Sequence, residues 1–115
     1  RRFAIINIWR SIVGAVETNP LAICDARSVA LNDMMAPERR AAERVGETYR
    51  LMHNPNQQWF YFSLMQRNEA MLIKSYESED DGRARFAPHT AIVDPNTTAE
   101  ATPRQSIESR VFAFF

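Results

Sequence analysis

Two short motifs in the last third of the chain carry side chains suited to chemistry. His89 stands in a strand-like run, and neutral imidazole is a common ligand for iron. Arg104 and Ser106 are two residues apart, so the alternation of an extended strand places both side chains on one face. A guanidinium binds a carboxylate through two parallel hydrogen bonds, and a neighbouring hydroxyl can donate to the same group. The motifs therefore indicate a metal ligand and a carboxylate-binding pair.

Both motifs also have an ordinary structural explanation. A single strand histidine can simply satisfy a local hydrogen bond, and arginines are common where a loop enters a strand. Glu108 and Arg110 continue the face of Arg104, and we expect them to pair with each other or across the sheet. Arg110 is therefore a second candidate for the carboxylate-binding role.

The rest of the sequence does not complete a metal site. The other histidine, His53, precedes an Asn-Pro-Asn turn signal, and we interpret it as exposed. The sequence contains no His-x-Asp or His-x-Glu. A facial iron site uses two histidines and one carboxylate and keeps open positions for other ligands. From these motifs, the chain supplies one of the three ligands.

Composition restricts the class of protein. The 115 residues are 45% hydrophobic and 24% charged, with a formal net charge of zero, which indicates one globular domain and argues against nucleic-acid binding. The single cysteine, Cys24, favours a reducing compartment, and we expect a cytoplasmic protein. No signal peptide or membrane-spanning apolar run is visible. The sequence has three glycines and no glycine-rich motif, which argues against a phosphate-binding loop.

The two ends of the sequence are unusual for a complete domain. The chain begins with Arg1 rather than methionine, and both ends are apolar and strand-like. Complete domains usually have polar, frayed ends. We therefore expect the chain to be a fragment of a longer protein.

Short strands dominate the predicted elements. Alternation and turn signals predict strands at 1–13, 21–29, 47–53, 57–65 and 69–76, with two more within 83–115. The strands at 47–53 and 57–65 are predicted to form a hairpin. The helix-forming run at 38–45 predicts one short surface helix or a charged loop. Such a chain is mainly β, an antiparallel sandwich or barrel, and a jelly roll is the best single interpretation.

Two local features complete these predictions. The aromatic run from Trp59 to Phe62 is expected in the core and on a sheet face. Asp25 and Arg27 are expected to form a local or cross-strand ion pair.

The chain resembles the C-terminal part of a fungal and bacterial group of 2-oxoglutarate/Fe(II) oxygenase-like proteins. This group includes gibberellin desaturase, hydroxylase/desaturase enzymes of fungal secondary metabolism and a component of cephalosporin methoxylation. The resemblance covers almost the whole chain. The matching segments are RRFAIINIWR at 1–10, PLAICDARSV at 20–29, GETYRLMHNPNQQWFYF at 46–62, NEAMLIKSYES at 68–78, GRARFAPHTAIVDP from 82 and PRQSIESR up to 110.

The resemblance implies a fold and a set of site residues. It implies a double-stranded β-helix, which is a jelly roll, with residues 1–115 as the C-terminal portion of one oxygenase domain. It implies Fe(II) and 2-oxoglutarate as cofactors, with His89 as the second iron histidine and Arg104 with Ser106 holding 2-oxoglutarate. The residues it places near the pocket are Asn7, Trp9 and Arg10. The family's Trp-Arg-Pro-Ile is replaced here by Trp9-Arg10-Ser11-Ile12.

The resemblance also implies a function for the parent protein. The family's His-x-Asp lies upstream of the segment that matches Arg1. The parent would hydroxylate or desaturate a small molecule while 2-oxoglutarate is decarboxylated to succinate, and this chain alone would be inactive. The alternative is a non-catalytic partner or degenerate remnant that keeps the fold without the metal site.

Overall fold

The fold is taken from a computed structural model that describes residues 1–35 and 50–115. The predicted helix at 38–45 lies outside the described residues. The described part is mainly β, as predicted, with two single-turn 3-10 helices at Ala26–Ser28 and Leu31–Asp33. Its strands are β1 Phe3–Ser11, β2 Leu21–Cys24, β3 Met34–Met35, β4 Arg50–Leu51, β5 Trp59–Tyr61, β6 Met71–Glu77, β7 His89–Ala91 and β8 Ser106–Phe114.

The strands form two three-stranded antiparallel sheets and one small pair. Sheet A has the order β6-β1-β8, sheet B has the order β5-β2-β7, and β3 pairs with β4. Strand β1 pairs with β8 without interruption, from Phe3 opposite Phe114 to Ser11 opposite Ser106. Since directly opposed residues share a face, the β1 residues Asn7 and Trp9 define one face of sheet A.

The two sheets face each other across a small apolar core. Trp9, Met71 and Ile73 from sheet A pack with Leu21 from sheet B, and Ile23 of β2 packs against the same cluster. The cluster also includes Val16 and Met65 from the connections. Burial of these side chains is the main force that brings the sheets together. We call the faces that meet here the inner faces.

Strand β2 ends earlier than the pattern predicts. It stops at Cys24 because the Asp25 carboxylate accepts a hydrogen bond from the Arg27 amide at 2.9 Å and begins a 3-10 turn. The same carboxylate pairs with the Arg27 guanidinium at 2.8 Å. The expected ion pair is therefore confirmed, and it is local.

The predicted hairpin is wrong. Strand β4 pairs with β3, whereas β5 pairs with β2. The turn itself forms, since the Gln57 amide donates to the Asn54 carbonyl at 3.0 Å, and His53 is exposed as expected. A turn signal fixes where the chain reverses but not which strand becomes the partner.

The aromatic run is not in the core. Phe60 and Phe62 are 60% and 63% exposed, and Trp59 and Tyr61 are also exposed. Within the described residues, the three-residue strand β5 is at the edge of sheet B, and no further layer covers its aromatic side chains. An aromatic-rich strand is buried only where a second layer packs against it. The expected position in a sheet is confirmed by β5, and the expected position in the core is wrong.

A buried ionic cluster lies at the end of sheet A that is farther from Trp9. The Glu77 side chain is completely buried and accepts hydrogen bonds from Arg2 Nε and Nη2, both at 3.1 Å, and from Lys74 Nζ at 3.3 Å. Hydrogen bonds from Arg2, and then from the Glu79 amide and Lys74, outweigh burial and lower the pKa of Glu77 to about 2. Glu77 is therefore ionised at neutral pH.

No helix in residues 1–35 and 50–115 has the length and apolar character needed to cross a membrane.

Candidate functional site

His89 lies on the inner face of sheet B. It is the first residue of β7 and stands opposite Ile23, whose side chain packs against the core. Its Nδ1 is 2.8 Å from the Ala87 carbonyl oxygen. Because a carbonyl only accepts, Nδ1 carries the proton and Nε2 is left as the basic nitrogen. A backbone hydrogen bond of this kind fixes the tautomer of metal-binding histidines.

Arg104 is held from three directions just before β8. Its backbone amide donates to Thr18 Oγ1 at 2.8 Å, and its Nη1 donates to the Asn19 carbonyl at 2.7 Å. Its guanidinium carbon lies 5.8 Å from the centre of the Trp9 ring, within the range of a cation–π contact. The described part of the chain offers no hydrogen-bond partner to Nε or Nη2. Two donors of a fixed, half-buried guanidinium are therefore free to bind a carboxylate.

Ser106 shares this face with Arg104. It stands opposite Ser11, which is on the same side of β1 as Trp9 by strand alternation. Ser106 is half-buried, and its hydroxyl makes no hydrogen bond to another described residue. The sequence-predicted pair is thus brought together on the inner face.

The turn before β2 links Arg104 to the strand that carries His89. Besides accepting from Arg104, Asn19 donates through Nδ2 to the Ile92 carbonyl at 3.4 Å, and the Ile92 amide donates to the Pro20 carbonyl at 3.0 Å. Ile92 directly follows β7. From Asn19 to Ile23, the partner of His89, the extended chain covers about 13 Å. The Arg104 guanidinium and the residue that follows β7 therefore contact the same turn.

Arg110 occupies a separate position. Its Nε donates to Asn7 Oδ1 at 3.3 Å, while Asn7 Nδ2 donates to Glu108 Oε1 at 2.6 Å, so pairing is across the sheet. Arg110 is six positions after Arg104, which corresponds to about 20 Å along an extended chain. The two arginines are therefore alternative rather than joint candidates for binding one carboxylate of a small dicarboxylate.

The three residues expected near the pocket divide between two faces. Asn7 and Trp9 are buried on the inner face, with 3% and 4% of their surfaces exposed. Arg10 is exposed and stands opposite Ile107, on the outer face by alternation. Trp9 lies beside Arg104, whereas Asn7 contacts Glu108 and Arg110 farther along the inner face.

His89 fits the chemistry of one metal ligand. Its ring is oriented by the hydrogen bond from Nδ1 and presents Nε2 on a half-buried inner face. Among residues 1–35 and 50–115, no three His, Cys, Asp or Glu side chains gather where they could hold a metal ion. The described residues therefore provide one oriented ligand and not a complete set.

Two depressions lie on the described surface. The larger, about 620 Å³, is polar, contains neither His89 nor Arg104, and is lined by Asp25, Arg27, Ser28, Val29, Ala30, Asn54, Asn56 and Gln58. The smaller, about 310 Å³, reaches the neighbour of His89 on β2 and is lined by Ile23, Phe62, Met65, Glu69, Ala70, Met71 and Leu72. Its apolar lining and its position make the smaller cleft the better candidate for a small-molecule site.

The sequence motifs do not reveal the contribution of Thr18 and Asn19. In the sequence, Asn19 and Pro20 mark only a turn. Their contacts to Arg104 span more than 80 residues. An Asn-Pro pair next to a strand was a visible signal, but its partner is set by the tertiary structure.

Comparison with known proteins identifies several fungal relatives. Hydroxylase/desaturase asaB of Aspergillus flavus is 44% identical over 99% of this chain and 56% of its own length. Hydroxylase/desaturase CTB9 of Cercospora beticola is 40% identical over 99% of this chain and 37% of its own length. The Fe(II)/2-oxoglutarate-dependent dioxygenase nvfI of Aspergillus novofumigatus is 31% identical over 98% of this chain and 41% of its own length. The chain thus spans about half, or less, of these relatives.

A solved structure confirms the fold. The iron and alpha-ketoglutarate-dependent endoperoxidase NvfI superimposes with a TM-score of 0.87 and 31% sequence identity, over 98% of this chain and 42% of that chain. Together with the two facing antiparallel sheets, this similarity confirms the predicted jelly roll, or double-stranded β-helix.

The resemblance to fungal hydroxylase/desaturase proteins is also confirmed by these relatives. A family match extends over residues 1–114, which is almost the whole chain. The chain therefore belongs to the family described as the oxidoreductase/YMDC permease-like domain.

Proposed function

We propose that residues 1–115 are the C-terminal portion of an Fe(II)/2-oxoglutarate-dependent oxygenase domain. The whole protein hydroxylates or desaturates a small molecule of fungal secondary metabolism in the cytoplasm. The relatives named as hydroxylase/desaturases and the solved endoperoxidase support this proposal. The buried, unpaired Cys24 is compatible with a reducing compartment.

The observation that carries the proposal is the arrangement of His89 and Arg104. Both belong to the inner faces, and the Asn19 turn connects them through hydrogen bonds to Arg104 and to the residue after β7. A metal ligand and a carboxylate-binding guanidinium in one region suit a bidentate cosubstrate that spans from metal to arginine.

Each residue has a defined role in this proposal. His89 would bind Fe(II) through Nε2, and the hydrogen bond from Nδ1 to the Ala87 carbonyl holds the ring in place. Arg104, through Nε and Nη2, and Ser106, through its hydroxyl, bind the distal carboxylate of 2-oxoglutarate. When bound, iron and 2-oxoglutarate together supply the oxygen activation. The remaining iron ligands come from outside the described residues.

The apolar cleft beside β2 suits the organic substrate. Its volume of about 310 Å³ is at the lower limit for a small-molecule site. Met65 and Met71 are buried on its wall, whereas Phe62 is exposed at its border. An apolar molecule that enters here replaces water next to the strand partner of His89 and displaces solvent from the reacting region.

The carboxylate role is tested by a matched pair of arginine variants. In the complete gene product that contains this chain, Arg104→Ala should raise the KM for 2-oxoglutarate by about 10- to 100-fold, the effect of losing hydrogen bonds to a charged group. Arg110→Ala should change it less than about threefold, because Arg110 contacts Asn7 instead. Succinate formation over a range of 2-oxoglutarate concentrations measures both. A large effect of Arg110→Ala alone would reverse the assignment.

The metal role is tested by histidine substitution. His89→Ala should abolish stoichiometric Fe(II) binding by the complete gene product, measured anaerobically, whereas the exposed His53→Ala should leave it unchanged. Residues 1–115 alone should bind Fe(II) only weakly, because the described residues gather no ligand set. Full iron binding by the His89 variant, or no 2-oxoglutarate turnover by the unmodified protein, would favour the non-catalytic partner or remnant.

A further inference from the structure

We propose that Asn19 is a positioning residue that fixes the Arg104 guanidinium relative to the strand that carries His89. The inference rests on the proposed function, because it concerns the arginine that binds 2-oxoglutarate. Three observations support it: the backbone conformation of Asn19, the hydrogen bond to its carbonyl, and the hydrogen bond from its side chain.

The backbone of Asn19 is in an uncommon conformation. Its φ is 45°, and Leu64 is the other non-glycine residue with positive φ in the described part of the chain. Asparagine tolerates this left-handed region better than most residues, but a following proline normally favours extended conformations. Asn19 is directly followed by Pro20, so its positive φ is unusual on this ground as well. Such strained positions persist where surrounding contacts determine them, and they occur often at functional sites.

The Asn19 carbonyl determines where the guanidinium lies. It accepts from Arg104 Nη1 at 2.7 Å, a short charge-assisted hydrogen bond. With Nη1 held there and the guanidinium over the Trp9 ring, the plane of the guanidinium is restrained from two sides. The directions of Nε and Nη2 follow, since the guanidinium is planar. The left-handed backbone of Asn19 thereby orients the donors proposed for 2-oxoglutarate.

The Asn19 side chain connects the same residue to β7. Nδ2 donates to the Ile92 carbonyl at 3.4 Å, and the Ile92 amide returns a hydrogen bond to the Pro20 carbonyl at 3.0 Å. Ile92 lies three residues after His89. One residue therefore contacts both the guanidinium and the strand of the metal-binding histidine.

Thr18 and Glu17, which precede Asn19, contact the backbone of residues 102–104 rather than the Arg104 side chain. Thr18 Oγ1 accepts from the Arg104 amide at 2.8 Å and donates to the Thr102 carbonyl at 3.2 Å, and Glu17 accepts from the Thr102 amide at 3.0 Å. These contacts fix the backbone of residues 102–104. Asn19 instead contacts the Arg104 side chain, so its contribution concerns the direction of the guanidinium.

Two substitutions separate the backbone from the side chain of Asn19. Asn19→Ala removes the Nδ2 donor and disfavours positive φ, whereas Asn19→Gly removes the donor and favours positive φ. In Asn19→Ala, we expect the affinity for 2-oxoglutarate to fall by about tenfold, because the charged hydrogen bond from Arg104 to the carbonyl of residue 19 is weakened. In Asn19→Gly, we expect a fall of about two- to fivefold, because only the neutral hydrogen bond from Nδ2 to Ile92 is lost. The difference between the two variants measures the contribution of the backbone conformation, and the effect common to both measures the contribution of the side chain.

The experiment uses the complete gene product loaded with Mn(II), and calorimetric titration with 2-oxoglutarate measures the dissociation constant. Mn(II) affinity is measured in parallel and should stay unchanged in both variants, because His89 is untouched. Arg104→Ala and Phe112→Ala are included: the first should lose 2-oxoglutarate affinity strongly. The second, whose ring is exposed at the other end of β8, should change the affinity by less than about twofold.

The outcomes distinguish the inference from the proposed function. If Asn19→Ala binds 2-oxoglutarate like the unmodified protein while Arg104→Ala does not, the positioning role is wrong and the proposed function stands. If Arg104→Ala also binds normally, the proposed anchor fails, and the positioning role fails with it. If Asn19→Ala loses Mn(II) and 2-oxoglutarate equally, Asn19 is structural and the inference is wrong. If Asn19→Ala does not fold, unchanged affinity of Asn19→Gly overturns it.

Discussion

The two ends of β8 differ in the burial and the contacts of their side chains, although both pair with β1. At the beginning, Arg104 and Ser106 are half-buried, and Arg104 lies over Trp9 and bonds to the turn before β2. At the other end, Phe112 and Phe114 are 60% and 61% exposed, with their rings stacked at a centroid distance of 6.2 Å. The ladder to β1 is continuous at both ends. Backbone pairing alone therefore does not create a site.

What distinguishes the two ends is the layer that faces them. The core cluster joins Trp9 to Leu21 and Met65, which lie outside sheet A, so the beginning of β8 borders a packed interior. At the far end, Phe112 and Phe114 meet Phe3 within the same sheet. Between the ends, the buried Asn7 binds Glu108 and Arg110. A guanidinium becomes a precise binding group only where two layers restrain it.

The largest effect is expected from removing the ring beneath Arg104. Trp9→Ala should lower the free energy of unfolding of the chain by about 3–5 kcal/mol, the usual cost of deleting a buried aromatic ring. Phe112→Ala should cost below about 1 kcal/mol, because most of its ring stays in water. Urea unfolding followed by circular dichroism measures both. Equal costs would show that the two ends are equally packed.

The ionic cluster near the far end predicts a pH dependence. The pKa of Glu77 is lowered to about 2 in the folded chain, from its ordinary value of 4.5, so between these values the unfolded chain binds more protons. Stability from this group is therefore complete above about pH 4.5 and is lost as the pH falls towards 2. Thermal unfolding should show a steeper loss in the unmodified chain than in Glu77→Gln. Asp25, Asp33, Asp81 and Glu17 also have lowered pKa values.

Because several carboxylates contribute to the loss of stability at low pH, the unmodified chain must be compared with the Glu77→Gln variant. The other carboxylates titrate in both proteins, so the difference between the two curves isolates Glu77. Parallel curves would mean that the Arg2 and Lys74 contacts do not persist in solution.

The polar boundary between the two ends predicts an intermediate effect. Asn7→Leu should reduce stability by about 1–2 kcal/mol, because the buried amide hydrogen bonds to Glu108 and Arg110 are lost. Arg110→Ala should cost less than about 0.5 kcal/mol, since Arg110 is exposed. Chemical unfolding measures the pair. A larger cost for Arg110→Ala would place the stabilising contribution in the guanidinium rather than in Asn7.

The smallest effect on stability is expected at the exposed aromatic end. Replacing both Phe112 and Phe114 with serine should change the free energy of unfolding by about 1 kcal/mol or less. It should reduce self-association, because an edge strand with exposed aromatic side chains is a template for pairing. Analytical ultracentrifugation of both proteins at several concentrations tests this. Unchanged association with a large loss of stability would show that these rings are part of the packed interior.

Local patterns were sufficient for part of this structure. Alternation in the first thirteen residues predicted the strand β1, and the spacing of Arg104 and Ser106 predicted their common face. The Asp25–Arg27 pair also followed from local spacing. These features depend on contacts within one strand or one turn, which the sequence order fixes directly.

Other features depend on contacts between distant segments. The 47–53 and 57–65 runs were expected to pair, yet β4 pairs with β3 and β5 pairs with β2. The aromatic run from Trp59 to Phe62 was expected in the core and is exposed. A period of two identifies a strand and its faces but contains no information on which strand or layer it meets.

The sequence by itself determined a mainly β chain with a histidine and an Arg-x-Ser pair at strand ends. These properties follow from side-chain type and local spacing. The tertiary structure decided that Trp9 lies under Arg104, that the Asn19 carbonyl holds its guanidinium, and that the same turn contacts Ile92 after β7. Those contacts join residues more than 70 positions apart. Pairing of distant strands within each sheet and packing of one sheet on the other bring them together.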